Sequence, residues 1–429
     1  MKRLTRLILD DMRPALGVTE PAAIAFAVAK ARQYASGELR RIEVTLNSGM
    51  YKNAFTCGIP HTKYVGNEYA AALGYVAADA ERGLECLDAA KEADSRRAKE
   101  IVDAGLVRVN SGEVSSRIHI RAEIVTEEGE ASVTIMDRHT DICEITQNGQ
   151  VLFHKDVAPP SEDEAENGSV PLIHRYTLRQ ILSYVRSVPI EEIRFISRAY
   201  DVNLRLFHLA LRSGKTPFAH SLYRQNGSQV ISSDERQTAS LLCNAAIEAR
   251  VIGLSQPAMS ITGSGAHGII ATLPLYASQQ VNGYSQDMLL RATALSYLVC
   301  MYIKEYSGRL SAFCGCAIAA GTGMACGLAY LKGADIRALG LVIRNMASGI
   351  TGMICDGGNH GCTMKGIVAV DAAFRAVDFA LQDIAIESLH GINGNTPEET
   401  MRNIGLIASP GMSATEVTVL DIMKNKKKK

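Results

Sequence analysis

Charge of one sign is what the sequence lacks first: 45 Lys and Arg residues offset 45 Asp and Glu residues among 429. Without a net field the chain is not expected to gather nucleic acid or an anionic membrane surface. It has no uninterrupted apolar run of about 18 residues, so no membrane span is expected. The opening residues are basic, but Asp10, Asp11 and Arg13 break the apolar segment that a secretion signal needs. Ten cysteines are too few for a disulfide scaffold at this length, and a cytoplasmic location is expected. The composition is that of a folded protein, with 47% hydrophobic and 21% charged residues, and the length suits more than one core. Lys426–Lys429 reads as an exposed tail.

The periodicity of the chain changes along its length. Thr19-Glu20-Pro21 reads as a helix start with Thr19 as N-cap, and the apolar run Ala22–Ala29 marks that helix as buried. Leu39–Leu46 alternates and reads as a strand. From Leu106 to His154 the period is two, with Asn148-Gly149 as a hairpin turn, which predicts an antiparallel sheet. Val157–Ser169, with its prolines and acids, reads as a linker. Beyond about Pro171 nearly everything reads as helix, including Leu310–Lys332 and Cys362–Leu381. Ala312–Tyr330 carries no charge and scatters glycine among alanine, as a central buried helix would. The fold class is therefore α+β. An N-terminal α/β domain over residues 1–156 holds the antiparallel sheet, and a mainly helical domain with buried Gly/Ala-rich helices spans residues 171–429.

Three groups of residues carry chemistry. Cys314, Cys316, Cys326, Cys355 and Cys362 fall close together, and Cys355-Asp-Gly-Gly-Asn-His-Gly-Cys362 forms a glycine-rich loop between two predicted helices. Thiolates there suit an iron–sulfur cluster or zinc, though no common zinc spacing is present; buried structural thiols are the other reading. Gly263-Ser264-Gly265-Ala266-His267-Gly268 matches G-x-G-x-x-G. With helix Ser233–Gly253 before it and a β-like Ile269–Leu273 after it, a dinucleotide fingerprint is rejected. The loop is then either an anion nest fit for a carboxylate or a plain tight turn, and His267 is the histidine best placed for acid–base work. The pairs His61-Thr62 and His139-Thr140 read as surface or capping pairs, or as hydrogen-bonding partners of a small polar substrate. His360 lies between two of the clustered cysteines.

Taken together, several segments resemble the UPF0597 family, which includes L-cysteine desulfidases and is related to the α region of iron–sulfur L-serine dehydratases. They are Ala15–Ala22, Met259–Ile269, Leu310–Cys314 and Ser348–Gly357. The resemblance runs from about Leu4 to Ile407 and rests on the motifs in combination and order. It implies a [4Fe–4S] lyase that eliminates sulfide or water from a small L-amino acid such as L-cysteine or L-serine, giving pyruvate and ammonia. Carried over, it makes Cys314, Cys355 and Cys362 the cluster ligands. His267 and Lys365 are the candidate bases, and Thr19, Glu20, Ser264, Gly265, His139 and Thr140 the candidate substrate-binding residues. One position departs from the pattern: Val18 stands where the family usually has cysteine. The rival expectations are a non-catalytic small-molecule-binding protein that lost the cluster, and a structural zinc protein. The buried Gly/Ala helices are compatible with a homodimer.

Overall fold

Alternation in the N-terminal part produces one six-stranded sheet. The computed structural model describes residues 2–156, 170–308 and 310–426, so the linker expected at Val157–Ser169 and the lysines Lys427–Lys429 lie outside the described residues. The strand order is Val107–Ser111, Leu39–Leu46, His119–Thr126, Glu130–Met136, Ile142–Gln147, Gln150–His154. Ile42, Val44, Ile120, Ala122, Ile124, Val133 and Ile135 fill one face and are fully buried, as period-two patterning requires. Helix Thr19–Arg32 packs on the sheet at His119–Thr126 and Glu130–Met136. The pairings Arg41–Glu123 and Arg121–Glu144 join charged, part-exposed side chains at 3.2 Å and 3.7 Å, and such pairs add little stability each.

The α+β class is as the sequence predicts, with details that differ. The sheet is mixed: Leu39–Leu46 enters it between Val107–Ser111 and His119–Thr126 and runs parallel to the former. Thr19 is the first helical residue rather than the cap; Val18 occupies the cap position with no side-chain hydrogen bond. Leu310–Lys332 is not one helix. A π-helical turn, Cys316–Ala320, opens it and Gly321–Leu331 continues it, because the residues before Cys316 are held by an antiparallel bridge between Phe313 and Ile354. Ile269 and Ile270 end a helix, Gly265–Ile270, and Leu273 starts another, Leu273–Asn282, so the β-like reading there fails. Both lie in buried surroundings where an apolar run has no period to read.

The helical part surrounds Gln286–Ser307, most of which is buried. Gly321–Leu331 packs along it. Gly323 makes this approach close: a Cβ there would stand 2.2 Å from the Ser296 carbonyl oxygen, so only glycine fits. No helix among the described residues is long and apolar enough to cross a membrane.

Two contacts tie the N-terminal part to the helical part. Arg13–Leu16 pairs antiparallel with Pro257–Ser260, bringing Arg13 opposite Ser260. Helix Ser48–Ala54 packs against helix Ser413–Lys424. The first contact sets Val18-Thr19-Glu20 beside the Gly263–Gly268 loop, and the Thr19 hydroxyl donates to the Gly263 carbonyl at 3.4 Å.

Candidate functional site

The Phe313–Ile354 bridge is what assembles the cysteines. The Cys314 N–H donates to the Met353 carbonyl at 3.0 Å, and the Cys355 N–H donates to the Ala312 carbonyl at 2.6 Å. These bonds set two thiols, 41 positions apart in number, on adjoining extended segments. Cys362 lies in the first turn of helix Gly361–Ala380, with its Sγ 3.5 Å from the Gly357 carbonyl oxygen. Between them Gly357 has φ +96°, and a Cβ on it would stand 2.3 Å from the Lys52 carbonyl oxygen. Glycine is required there on both counts. At Gly358 a Cβ would come within 3.2 Å of Cys57 and 3.3 Å of Val18, so Val18 borders the loop that carries Cys355 and Cys362.

Cys314 is buried, Cys355 and Cys362 are partly buried, and the three feel one another. A hydrogen bond with Cys316 and then burial push Cys314 well above the ordinary thiol value. Burial raises Cys355, against the pull of Lys52, and lifts Cys362 to about 12. Lys365 opposes all three rises. Burial disfavours its own charge, yet the Asp356 carboxylate it bonds and the three thiols keep its pKa above the usual lysine value. Lys365 is therefore a cation held against the thiols. Among the described residues no three His, Cys, Asp or Glu side chains stand grouped to hold a metal ion, so Cys314, Cys355 and Cys362 would have to draw together to do so. The donors have the soft chemistry of an iron–sulfur site, and two lysines stand ready to offset thiolate charge.

The glycine loop corrects the earlier expectation. Strand Pro257–Ser260 does precede it, and helix Gly265–Ile270 begins within it. The strand's sheet has two strands and is antiparallel, so no βαβ unit exists there and the dinucleotide reading stays rejected. The Ser264 N–H is engaged by the Ile261 carbonyl at 3.1 Å. His267 is buried, and its Nδ1 is 2.5 Å from the Thr262 hydroxyl. A Cβ at Gly315 would stand 2.8 Å from its Nε2, so the imidazole edge faces the residue after Cys314. Burial, then the charges of Lys304 and Arg250, push its pKa down to about 3. The ring is neutral at pH 7 and weakly basic.

Thr19, His139 and Thr140 line a cavity of about 1100 Å³, together with Asp11, Thr262, Gly263 and Lys304. Ser264 and Gly265 are not part of its wall. Glu20 links cavity and thiols. Its Oε1 accepts from Asn53 Nδ2 at 2.9 Å and lies 4.0 Å from His139 Nε2, while the Asn53 amide oxygen is 3.7 Å from Cys355 Sγ. His61 and Thr62 sit apart, in a turn where Thr62 bonds the Ile59 and Tyr64 carbonyls. His360 is half-exposed, 3.8 Å from Glu248. Lys52, Asn53, Cys57 and Arg250 escaped the sequence reading. Arg250 left one trace, a charge two residues from Glu248 in a helix otherwise buried from Thr238 onward.

The fold and site define an α+β protein whose helical part carries the thiols of Cys314, Cys355 and Cys362, with Asn53 and Glu20 linking Cys355 to a cavity. Residues 81–421 match the family described as serine dehydratase alpha chain. A UPF0597 protein of Clostridium botulinum (strain Langeland) is 40% identical over 422 residues, covering 98% of each chain. One from Caldanaerobacter subterraneus subsp. tengcongensis is 37% identical, covering 99% of this chain and 98% of its own. A third, from Alkaliphilus metalliredigens, is 32% identical, covering 98% and 95%. The chain belongs to the serine dehydratase alpha chain family, within the group named UPF0597.

Proposed function

We propose that this protein is a lyase that eliminates sulfide or water from a small L-amino acid such as L-cysteine or L-serine, with Cys314, Cys355 and Cys362 holding a [4Fe–4S] cluster. The observation that carries the reading is the Phe313–Ile354 bridge. It joins the segments that carry Cys314 and Cys355, Cys362 follows on the same loop, and the charge of Lys365 acts on all three. When bound, a cluster with one iron free of protein ligands supplies a Lewis acid for the departing sulfur or oxygen. Thiols that ligate metal do so as thiolates, and Lys52 and Lys365 offset that charge.

The chain's own residues supply the rest. Gly263 and Thr19, which line the cavity, position the substrate. His267, neutral at pH 7, accepts the α-proton at Nε2, the nitrogen not bonded to Thr262. Lys365, already protonated, balances negative charge as the carbon–sulfur or carbon–oxygen bond breaks. The aminoacrylate left behind takes up water and releases ammonia, giving pyruvate.

A second reading is a binding protein of the same fold without a cluster. Val18 supports it, since an aliphatic side chain rather than a thiol borders the Cys355–Cys362 loop. Iron and acid-labile sulfide measured on protein purified without oxygen separate the two. Bound iron and sulfide, with visible absorption weakened strongly by Cys355→Ala, support the lyase. Protein free of both after anaerobic reconstitution refutes it, and zinc in the same sample would mark a structural metal site.

A further inference from the structure

We infer that Arg250 receives the carboxylate of the substrate, so that the site is built for an acid and rejects the matching amide. The inference rests on the proposal above that the ligand is a small amino acid, and it names the residue that recognises it. Arg250 stands near the C-terminal end of helix Glu235–Val251 and is 5% exposed. Its Nε has no hydrogen-bond partner, and its guanidinium makes neither hydrogen bond nor ion pair with any described residue. A guanidinium cannot shed its proton, and a buried charge is normally paired.

The nearby carboxylates are committed elsewhere. Glu248 accepts from the Phe218 and Ala219 amides at 3.2 Å and 2.7 Å. Glu20 accepts from Asn53. No described carboxylate pairs with the guanidinium, which leaves it open to an anion brought by a ligand.

Arg250 borders the glycine motif whose first residue, Gly263, lines the cavity. A Cβ at Gly265 would meet Arg250 Nε at 2.6 Å and Cδ at 3.2 Å, so the glycine loop lies directly against the guanidinium. Its charge acts on both Cys57 and His267. The planar fork of Arg matches a carboxylate with two parallel hydrogen bonds. An amino acid anchored there would present its α-carbon among the residues proposed to act on it.

Thermal denaturation of the full chain tests this with two probes, L-serine and L-serinamide. L-Serine should raise the melting temperature with the logarithm of its concentration once that exceeds Kd, and L-serinamide, which lacks the anion, should not. Arg250→Met should bind L-serine about 30- to 5000-fold more weakly. Without ligand it should melt no lower than the parent, because it removes an unpaired buried charge. Arg250→Lys, which keeps the charge but loses the fork, should fall between them. The inference is overturned if the parent responds to neither probe, or equally to both, or if either variant responds to L-serine like the parent. Protein without a cluster that still separates the two probes refutes the lyase and leaves the carboxylate receptor standing. Protein with a cluster that binds both probes equally does the reverse.

Discussion

Lys52 and Glu416 meet in an ion pair of 2.5 Å, with side chains 0% and 6% exposed, although 364 positions separate them. The same ammonium donates to the Ser311 carbonyl at 3.0 Å, and its charge opposes the rise in the Cys355 pKa. Helix Ser413–Lys424 is thereby tied to the segment that leads into Cys314. The C-terminal helix supports the thiol centre without contributing a donor to it.

Removing one member of this pair tests that support. Glu416→Ala would leave the Lys52 ammonium buried without its partner, which costs about 3–5 kcal/mol. Urea denaturation should show that loss, and the double variant Lys52→Met/Glu416→Leu should recover most of it. A single-variant loss below about 1 kcal/mol would mean the ammonium finds another partner.

What was legible in the sequence follows from what leaves a period. Ile120, Ala122 and Ile124 alternate with polar neighbours, so their strand and its buried face could be read directly. The parallel ladder between Leu39–Leu46 and Val107–Ser111 could not, because alternation looks the same whichever way a neighbour runs. The segment before Cys316 consists of small apolar residues that suit helix or strand, and the bridge to Ile354 decides between them. Arg250 was hidden for a different reason. A basic residue in the last turn of a helix is ordinary dipole complementation, and only its burial sets it apart. Cysteine spacing marked the centre, but Lys52 and Asn53 reach it from a helix that spacing cannot connect to it.

Val18 offers a test within the loop itself. Its side chain lies against Gly358, on the loop that joins Cys355 to Cys362, and a thiol there would add a donor at the edge of the centre. Val18→Cys should increase bound iron per chain after anaerobic reconstitution, or sulfide release from L-cysteine. If the parent is already active and neither quantity changes, a thiol at this position is dispensable.

Lys365 should act through its charge. Lys365→Met removes the cation that opposes the pKa rise of Cys314, Cys355 and Cys362, so those thiols should ionise less readily. Iron occupancy should fall in Lys365→Met and be largely kept in Lys365→Arg, read by iron and sulfide analysis. Equal occupancy in both would show that the charge is not needed to assemble the site.

His267→Ala should lower turnover by at least about tenfold, the lower side of what a positioned base contributes, while the visible spectrum of the cluster stays intact. Turnover that falls only together with the spectrum would make the residue structural. Unchanged turnover would place the base elsewhere.

The burial of the same imidazole predicts a pH dependence of stability. Its folded pKa is pushed down to about 3, first by burial and then by Lys304 and Arg250, from an unfolded value of about 6.5. Between those values the unfolded chain binds a proton that the folded chain refuses. The contribution of neutral His267 is therefore complete above about pH 6.5 and is lost progressively as the pH falls toward 3. The slope can approach ~1.4 kcal/mol per pH unit inside that window. Urea denaturation of metal-free protein at pH 7.5, 6 and 5 should show stability falling faster in the parent than in His267→Gln, which has no proton to take up. Parallel slopes would mean that the folded protein admits the proton, and that the imidazole reaches water or a carboxylate before the chain unfolds.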